Sequence, residues 1–473
     1  MIFLDDILLL NSSEEGARKD LETALDLLQN LGFIINWEKS VVSPTQIMEY
    51  LGMVVDSIRM TFSLPNIKVK EIKKLCESAI ENRQISLRNM ASILGNFTWA
   101  IPTIPLAASH YRSMQGFYLK QSKKVKGDLN KKFTISSEAE TDLKWWVDNL
   151  ERMNGKVFFP EKSDIEIWSD ASFSGWGAIC NGVTTRGPWT ADQACLHINC
   201  LELLGALYAM QSFVGASHGL SIIIYLDNST AVYYINKEGG TKSAQLTAIA
   251  KLITGFCEQR QLSVQAVYLA GVLNGEADEE SRSSSDASDW MLDSQIFASL
   301  NEIWPMEVDL FGSFWNAQLP RFVSWRPQPE AMAVNAFSVN WSDFLGYLFP
   351  LFSMIPKCLE KIRREESNAV MICPVWPSQP WYPVMLGMVC ETPRLLQQSS
   401  SLLVSARGEP HPLLNSGAWR LSGRASEGEA FRALWSNYSW PVVEHQPFRL
   451  MNQHGGIGQL DAFNGVKIPY QHL

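Results

Sequence analysis

The chain has 473 residues, 46% hydrophobic and 19% charged, which describes globular protein rather than a disordered tail and allows about three domains of ordinary size. A net charge of −9 argues against a protein dominated by non-specific phosphate binding, although it leaves room for a local basic groove. The eight cysteines are scattered without a CxxC pair, so neither a zinc site nor a disulfide framework is indicated, and a reducing intracellular setting is expected.

In chain order, Met1-Ile2-Phe3-Leu4 is apolar but meets Asp5-Asp6 with no basic flank, so no signal peptide is expected. No apolar run reaches about 18 residues, so no membrane span is expected either. Phe3 to Leu9 reads as two apolar runs around an acidic pair, where a hairpin turn can hold a metal. Residues 11 to 30 read as an amphipathic helix with Leu21, Ala24, Leu25 and Leu28 on one face. With Leu31 to Ser40 and Glu49 to Val55 following, residues 1–65 resemble the second half of a reverse transcriptase palm. That resemblance implies that Asp5 and Asp6 are a residual polymerase metal turn and that Tyr50-Leu51-Gly52 belongs to a primer-grip strand. Such polymerases need a further aspartate on an earlier strand, and only four residues precede Asp5. Polymerase activity from this chain alone is therefore not expected, and an upstream polymerase half is an expected partner. Residues 66–160, with helices near Lys68 to Arg83 and Leu87 to Trp99, resemble the thumb and connection. Lys120, Lys123, Lys124, Lys126, Lys131 and Lys132 form the one strongly basic cluster, either a solvated loop or a phosphate contact. Glu138 to Asn149, carrying Trp145-Trp146, reads as a helix that docks a nuclease.

Ile165 to Cys180 alternates apolar and polar residues up to Asp170, turns at Ser174-Gly175 and runs apolar again, the pattern of a hairpin with a carboxylate near the end of its first strand. An acid inside a strand costs stability unless it is solvated, paired or holding a metal. Three more acids follow. Glu202 lies in the helix pattern Leu201 to Met210, Asp227 ends the strand Ser221 to Leu226 before the helix-start signal Asn228-Ser229-Thr230, and Asp278 lies in a short polar helix after a turn. Strand Asp, helix Glu, strand-end Asp and late-helix Asp, in a βββαβαβα-like order, resemble a type I ribonuclease H over residues 161–286. The resemblance implies that Asp170, Glu202, Asp227 and Asp278 are catalytic and hold two Mg²⁺ (or Mn²⁺) ions, with an RNA–DNA hybrid as partner. The residue types suit that chemistry: in-line cleavage needs the attacking and leaving oxygens stabilised, and two cations roughly 4 Å apart on hard oxygen ligands do so. Asn228 and Ser229 are candidate contacts to the nucleic acid, as are Lys123, Lys124 and Lys126. Trp189 reads as core. No histidine lies between Asn228 and Arg282, a departure from many family members that bears on rate. The competing reading is a catalytically silent relic or a nucleic-acid-binding fragment.

Ser283 to Asp286 reads as a linker. Beyond it, Glu307 to Gly312, Phe322 to Trp325, Leu345 to Leu351 and Ala369 to Pro374 read as buried strands, with a helix over Ile355 to Glu366, which suggests a small parallel α/β layer over residues 300–390. A nuclease followed by a Val-Asp-Leu-Phe module with Pro374-Val375-Trp376-Pro377 resembles DIRS-type, tyrosine-recombinase retrotransposon polyproteins, whose third module is similar to DNA adenine methyltransferases. The candidate turn reads Phe349-Pro350-Leu351-Phe352, whose first side chain cannot accept a hydrogen bond from an adenine amino group, so a packed, non-catalytic module is expected. Residues 391–473 read as linker and unplaced tail. The whole is expected to be a multidomain α/β and α+β chain: partial palm and thumb, a ribonuclease H-like mixed five-stranded sheet with helices, and a small methyltransferase-like module.

Overall fold

A computed structural model describes the chain except for residues 1, 4–5, 126–127, 158–161, 284–289, 397–398, 400–401, 406–414, 436–459 and 464–465. Asp5, Lys126 and the linker residues Ser284, Ser285 and Asp286 therefore lie outside the described residues. The fold divides into two compact units, one of Met1–Asp164, Gly219–Ile222 and Tyr233–Gln265, the other of Ile165–His218, Ile223–Val232 and Ala266–Leu473. Among the described residues no helix is long and apolar enough to cross a membrane.

In the first unit, Ile2–Phe3 pairs antiparallel with Asp6–Ile7. Helix α1 (Glu14–Asn30) starts at Ser13, whose hydroxyl accepts from the Gly16 amide at 3.1 Å, an N-cap. Its apolar stripe is only half-buried and no residue of it is fully buried. Phe33, Ile34 and Trp37 beyond it are exposed. The span Tyr50-Leu51-Gly52, expected within one strand, is instead a corner. β1 (Ile47–Tyr50) ends there and β2 (Met53–Asp56) returns antiparallel to it. Leu51 and Gly52 take φ of 51° and 76°, the two positive values that a tight primed turn requires. β3 (Thr61–Ser63) and β4 (Lys156–Val157) complete a four-stranded sheet in the order β1-β2-β3-β4. The first unit also contains α2 (Asn66–Asn82), α3 (Leu87–Ala100), α4 (Arg112–Ser122) and α5 (Ser137–Asn149). These helices share a core that includes Ile72, Met90, Phe97, Leu143 and Trp146, in which the Phe97 and Trp146 rings stack with centroids 4.1 Å apart.

The next elements follow the order β-β-β-α-β-α-α-β-α: β5 (Ile165–Ala171), β6 (Gly175–Cys180), β7 (Val183–Pro188), α6 (Ile198–Val214), β8 (Ser221–Leu226), α7 (Ser229–Asn236), α8 (Ala244–Arg260), β9 (Ser263–Tyr268) and α9 (Gly275–Arg282). The five strands form a sheet in the order β7-β6-β5-β8-β9. β5 and β6 are antiparallel with Asp170 opposite Gly177, and β6 and β7 are antiparallel with Trp176 opposite Gly187. Helix α6 is apolar on nearly all sides and buries Glu202 among leucines and alanines, as a helix does when it is enclosed by protein. Helix α8 belongs to the first unit, where Glu258 accepts from Trp145 Nε1 at 2.6 Å and pairs with His110 Nε2 at 3.1 Å.

The remaining module is built on a six-stranded sheet in the order β10-β11-β12-β14-β13-β15, from β10 (Val308–Asp309), β11 (Leu345–Leu348), β12 (Asn368–Pro374), β13 (Arg394–Leu395), β14 (Ser416–Ser422) and β15 (Gln471–His472). β10, β11 and β12 are parallel, matching the expected parallel layer. β14, however, runs antiparallel to β12 along its whole length, Asn368 opposite Ser422 and Pro374 opposite Ser416, so the sheet is mixed. This corrects the reading of residues 391–473 as linker and tail: β13, β14 and β15 all belong to the sheet. The physical reason lies in Trp419, which is fully buried. A Cβ on Gly417 would sit 2.9 Å from the Trp419 Nε1, so the small residues that look like linker make room for an indole in a central strand. Tyr470, just before β15, is buried as well, and its hydroxyl lies 2.8 Å from that of Tyr382.

Candidate metal centre

Asp170 occupies the penultimate position of β5, Glu202 the second turn of α6, and Asp227 the position after β8. One carboxylate oxygen from each lies within 4.8 Å of the others. Among the described residues these three form the one such group of three or more metal-ligand side chains. Asp170 and Glu202 are buried and Asp227 is half-buried.

Helix α9 closes the site from the side of β6. A Cβ at Gly177 would lie 2.4 Å from the Ser281 amide nitrogen and 2.7 Å from the Ala277 carbonyl oxygen, so only glycine admits the α9 backbone this close. That approach delivers Ser281, whose Oγ is 2.7 Å from Asp170 Oδ2 and 2.9 Å from the Asp278 carbonyl; its single proton can serve either acceptor. Asn274, just before α9, donates through Nδ2 to the Ser169 carbonyl at 3.1 Å. Gly271 is confined less severely: a Cβ there would meet the Asp227 side chain, Oδ2 at 3.0 Å.

Asp278 stands apart from the close group. It is half-exposed, and its Oδ1 accepts from Arg282 Nε at 2.8 Å and Nη2 at 2.6 Å. It remains near enough for its charge to raise the carboxyls of Asp170 and Asp227. The electrostatics are those of crowded acids whose mutual repulsion and burial outweigh the one nearby cation named here, Arg282. Burial pushes Glu202 from its ordinary 4.5 up to about 9, and the charges of Asp170 and Asp227 add to the push. Asp170 is raised by burial first and then by Asp227 and Asp278, against the hydrogen bond from Ser281 and the charge of Arg282. Asp227 is raised by burial and Asp278, again opposed by Arg282. Glu202 Oε2 is buried with no hydrogen-bond partner, a costly arrangement for a neutral protein environment. Three or four hard oxygen donors around an orphaned carboxylate oxygen fit a divalent cation.

The other candidates are placed as follows. Asn228 donates through Nδ2 to Asn199 Oδ1 at 2.9 Å and caps α7 by accepting from the Ala231 amide at 3.0 Å. Ser229 is the first residue of α7. Trp189 is buried and donates to the Ser172 carbonyl at 2.8 Å. Asp6, Lys123 and Lys124 lie in the first unit and are exposed. Sequence reasoning passed over Gly177, Gly271, Asn274 and Ser281. Ser281 and Arg282 follow Asp278 at the i+3 and i+4 spacing that brings helical side chains together, and that spacing is the signal that could have found them. In the third module, Phe349 to Phe352 follow β11 and, with Phe311 and Phe337, line a cavity of about 670 Å³.

No protein-family model matches the chain. It is 24% identical over 294 residues to the enzymatic polyprotein of figwort mosaic virus (strain DxS), a match that covers 59% of this chain and 40% of that protein. Among solved structures, the foamy viral protease-reverse transcriptase in complex with an RNA/DNA hybrid matches with a TM-score of 0.30 and 15% identity, covering 56% of this chain and 35% of that one. The N-terminal RNase H domain of a Mycobacterium tuberculosis protein, solved as a fusion with maltose-binding protein, matches with a TM-score of 0.20 and 16% identity, covering 26% of this chain and 98% of that one. The chain thus spans under half the length of the polyprotein it matches, and it is a distant homologue of retroelement and pararetroviral polyproteins.

Proposed function

We propose that this region of a retroelement-type polyprotein cleaves the RNA strand of RNA–DNA hybrids, with Asp170, Glu202, Asp227 and Asp278 holding two Mg²⁺ or Mn²⁺ ions. The observation that carries the reading is the convergence of three carboxylates, from a strand, a helix and a strand end, around the buried and unpartnered Glu202 Oε2. When bound, the ions would activate water and stabilise the attacking and leaving oxygens of an in-line displacement. The chain's own residues prepare the centre. Asp170 is oriented by Ser281, Glu202 is buried on α6, and Asp278 waits at the half-exposed rim on Arg282. Asn228, fixed by Asn199, and Ser229 are read as contacts to the hybrid, as are Lys123 and Lys124 on the first unit.

We read the chain further as DIRS-type, with a third module of methyltransferase-like ancestry and no catalysis of its own. The Phe349-Pro350-Leu351-Phe352 stretch after β11, whose leading side chain offers no acceptor to an amino group, supports the last part of that reading alone, the absence of methyl transfer. The test of the nuclease reading is cleavage of a labelled RNA–DNA hybrid by the full chain after chelator treatment, with and without added Mg²⁺ or Mn²⁺. Metal-dependent cleavage that Asp227→Asn lowers at least about a hundredfold, with unchanged melting, supports it, since this change removes an anionic ligand and keeps the shape. Absence of metal-dependent cleavage supports the silent relic.

A further inference from the structure

Helix α9 spans only eight residues, too few to be stable by itself, yet it brings Ser281 to Asp170 and carries Asp278. Gly177 sets how closely the inner face of α9 approaches β6. Its other face is held by Glu280, whose carboxylate receives two arginines. Arg186, from β7, places Nη1 3.2 Å from Oε2, and Arg326 places Nη1 3.2 Å from both carboxylate oxygens. Arg326 comes from the third module, in the segment after the short strand Val323–Ser324. That segment lies along β7, the edge strand of the nuclease sheet. Arg326 Nη1 donates to Thr184 Oγ1 at 2.9 Å, Thr185 Oγ1 donates to the Pro327 carbonyl, and Gln328 Nε2 donates to the Arg186 carbonyl at 2.7 Å. The Glu280 side chain is 16% exposed and those of Arg186 and Arg326 are 21% and 35% exposed, so the cluster is sheltered enough to outweigh an ordinary surface pair.

We propose that the third module serves the nuclease as a positioning element: Arg326 holds Glu280 and thereby fixes the helix that orients Asp170 through Ser281 and carries Asp278. Glu280 is the residue before Ser281 and two after Asp278, so a turn of α9 released at Glu280 moves both. Arg326 itself touches no residue of the acidic group. The inference rests on the metal-centre reading above and extends it to a module with no catalytic role of its own.

The test uses the full chain as wild type, Arg326→Ala, Glu280→Gln, the double variant and Asp227→Asn, with two measurements: amide exchange of the peptide covering residues 275–282 and Mn²⁺ affinity by calorimetry. Arg326→Ala should speed exchange in α9 about tenfold and weaken Mn²⁺ binding several-fold, the scale of losing one partner of a sheltered ion pair, while peptides from β12 stay unchanged. The double variant should match the Glu280→Gln single, because Arg326 acts through Glu280. A purely adhesive Arg326 would leave α9 exchange and Mn²⁺ affinity at wild-type values, or act additively with Glu280→Gln, and either result overturns the proposal. The two failures are distinct. Mn²⁺ binding indifferent to Asp227→Asn sinks the metal reading, and this inference with it. Binding that Asp227→Asn abolishes but Arg326→Ala leaves intact sinks this inference alone.

Discussion

Glu202→Gln is the most informative single change, because it separates the cost of the acidic group from its use. In the metal-free protein Glu202 keeps its proton up to about pH 9, against an ordinary value of 4.5. A carboxyl raised in the folded state is worth most below its unfolded value. As pH rises past 4.5 the unfolded chain ionises while the native site cannot, so native stability drains away until the pH passes the folded value. The interval from 4.5 to 7, at about 1.4 kcal/mol per pH unit, amounts to about 3 kcal/mol at neutral pH. Glutamine is never charged and escapes this loss. In the presence of a chelator, Glu202→Gln should therefore stabilise the packing of α6 on the five-stranded sheet by about 2–3 kcal/mol at pH 7 and by nearly nothing at pH 4.5. The assay is amide exchange of the α6 and β5 peptides across that pH range, which reports stability locally in a chain too large for one two-state transition. Addition of Mn²⁺ should invert the ranking, stabilising wild type strongly and Glu202→Gln weakly. A variant less stable than wild type at pH 7 without metal, or a wild-type profile flat between pH 4.5 and 8, would refute the reasoning.

Gly177→Ala drives a methyl group into the α9 backbone and should cost about 1–3 kcal/mol, with Mn²⁺ affinity falling in calorimetry; wild-type affinity would mean that α9 does not set the site. Gly271→Ala should turn the Asp227 carboxylate and weaken Mn²⁺ binding while leaving α6 exchange within about 0.5 kcal/mol of wild type, and equal loss of both would point to a folding defect instead. Trp419→Ala empties a core position in a central strand and should cost about 3–5 kcal/mol, read as faster exchange of the β12 peptide; a loss under about 1 kcal/mol would show β14 to be peripheral.

How much could be read from the chain depended on whether a feature was local. The elements that carry the four acids were legible because each announces itself by its own periodicity: an alternating strand for Asp170, an apolar helix for Glu202, a strand end before a helix cap for Asp227, a polar helix after a turn for Asp278. Helices α1, α2, α3 and α5 of the first unit were legible on the same ground, whereas α4 and α8 were not singled out. The corner at Leu51-Gly52 was missed because leucine rarely accepts positive φ, and nothing nearby except Gly52 signalled it.

What tertiary packing alone decided was distance and enclosure. Periodicity ranks Asp278 with the other three acids, but only the packed chain leaves Asp170, Glu202 and Asp227 as the close group. The stripe of α1 has the spacing of a buried face, yet burial needs an opposing surface, and the described residues offer it only half of one. Ser416 to Ser422 has the composition of a linker, and its place between β12 and β13 comes from partners at least about twenty residues away in sequence, with Gly417 vacating the volume that Trp419 fills. Local pattern names the elements because backbone geometry is local; contacts, and with them the site, belong to chain segments that sequence order keeps apart.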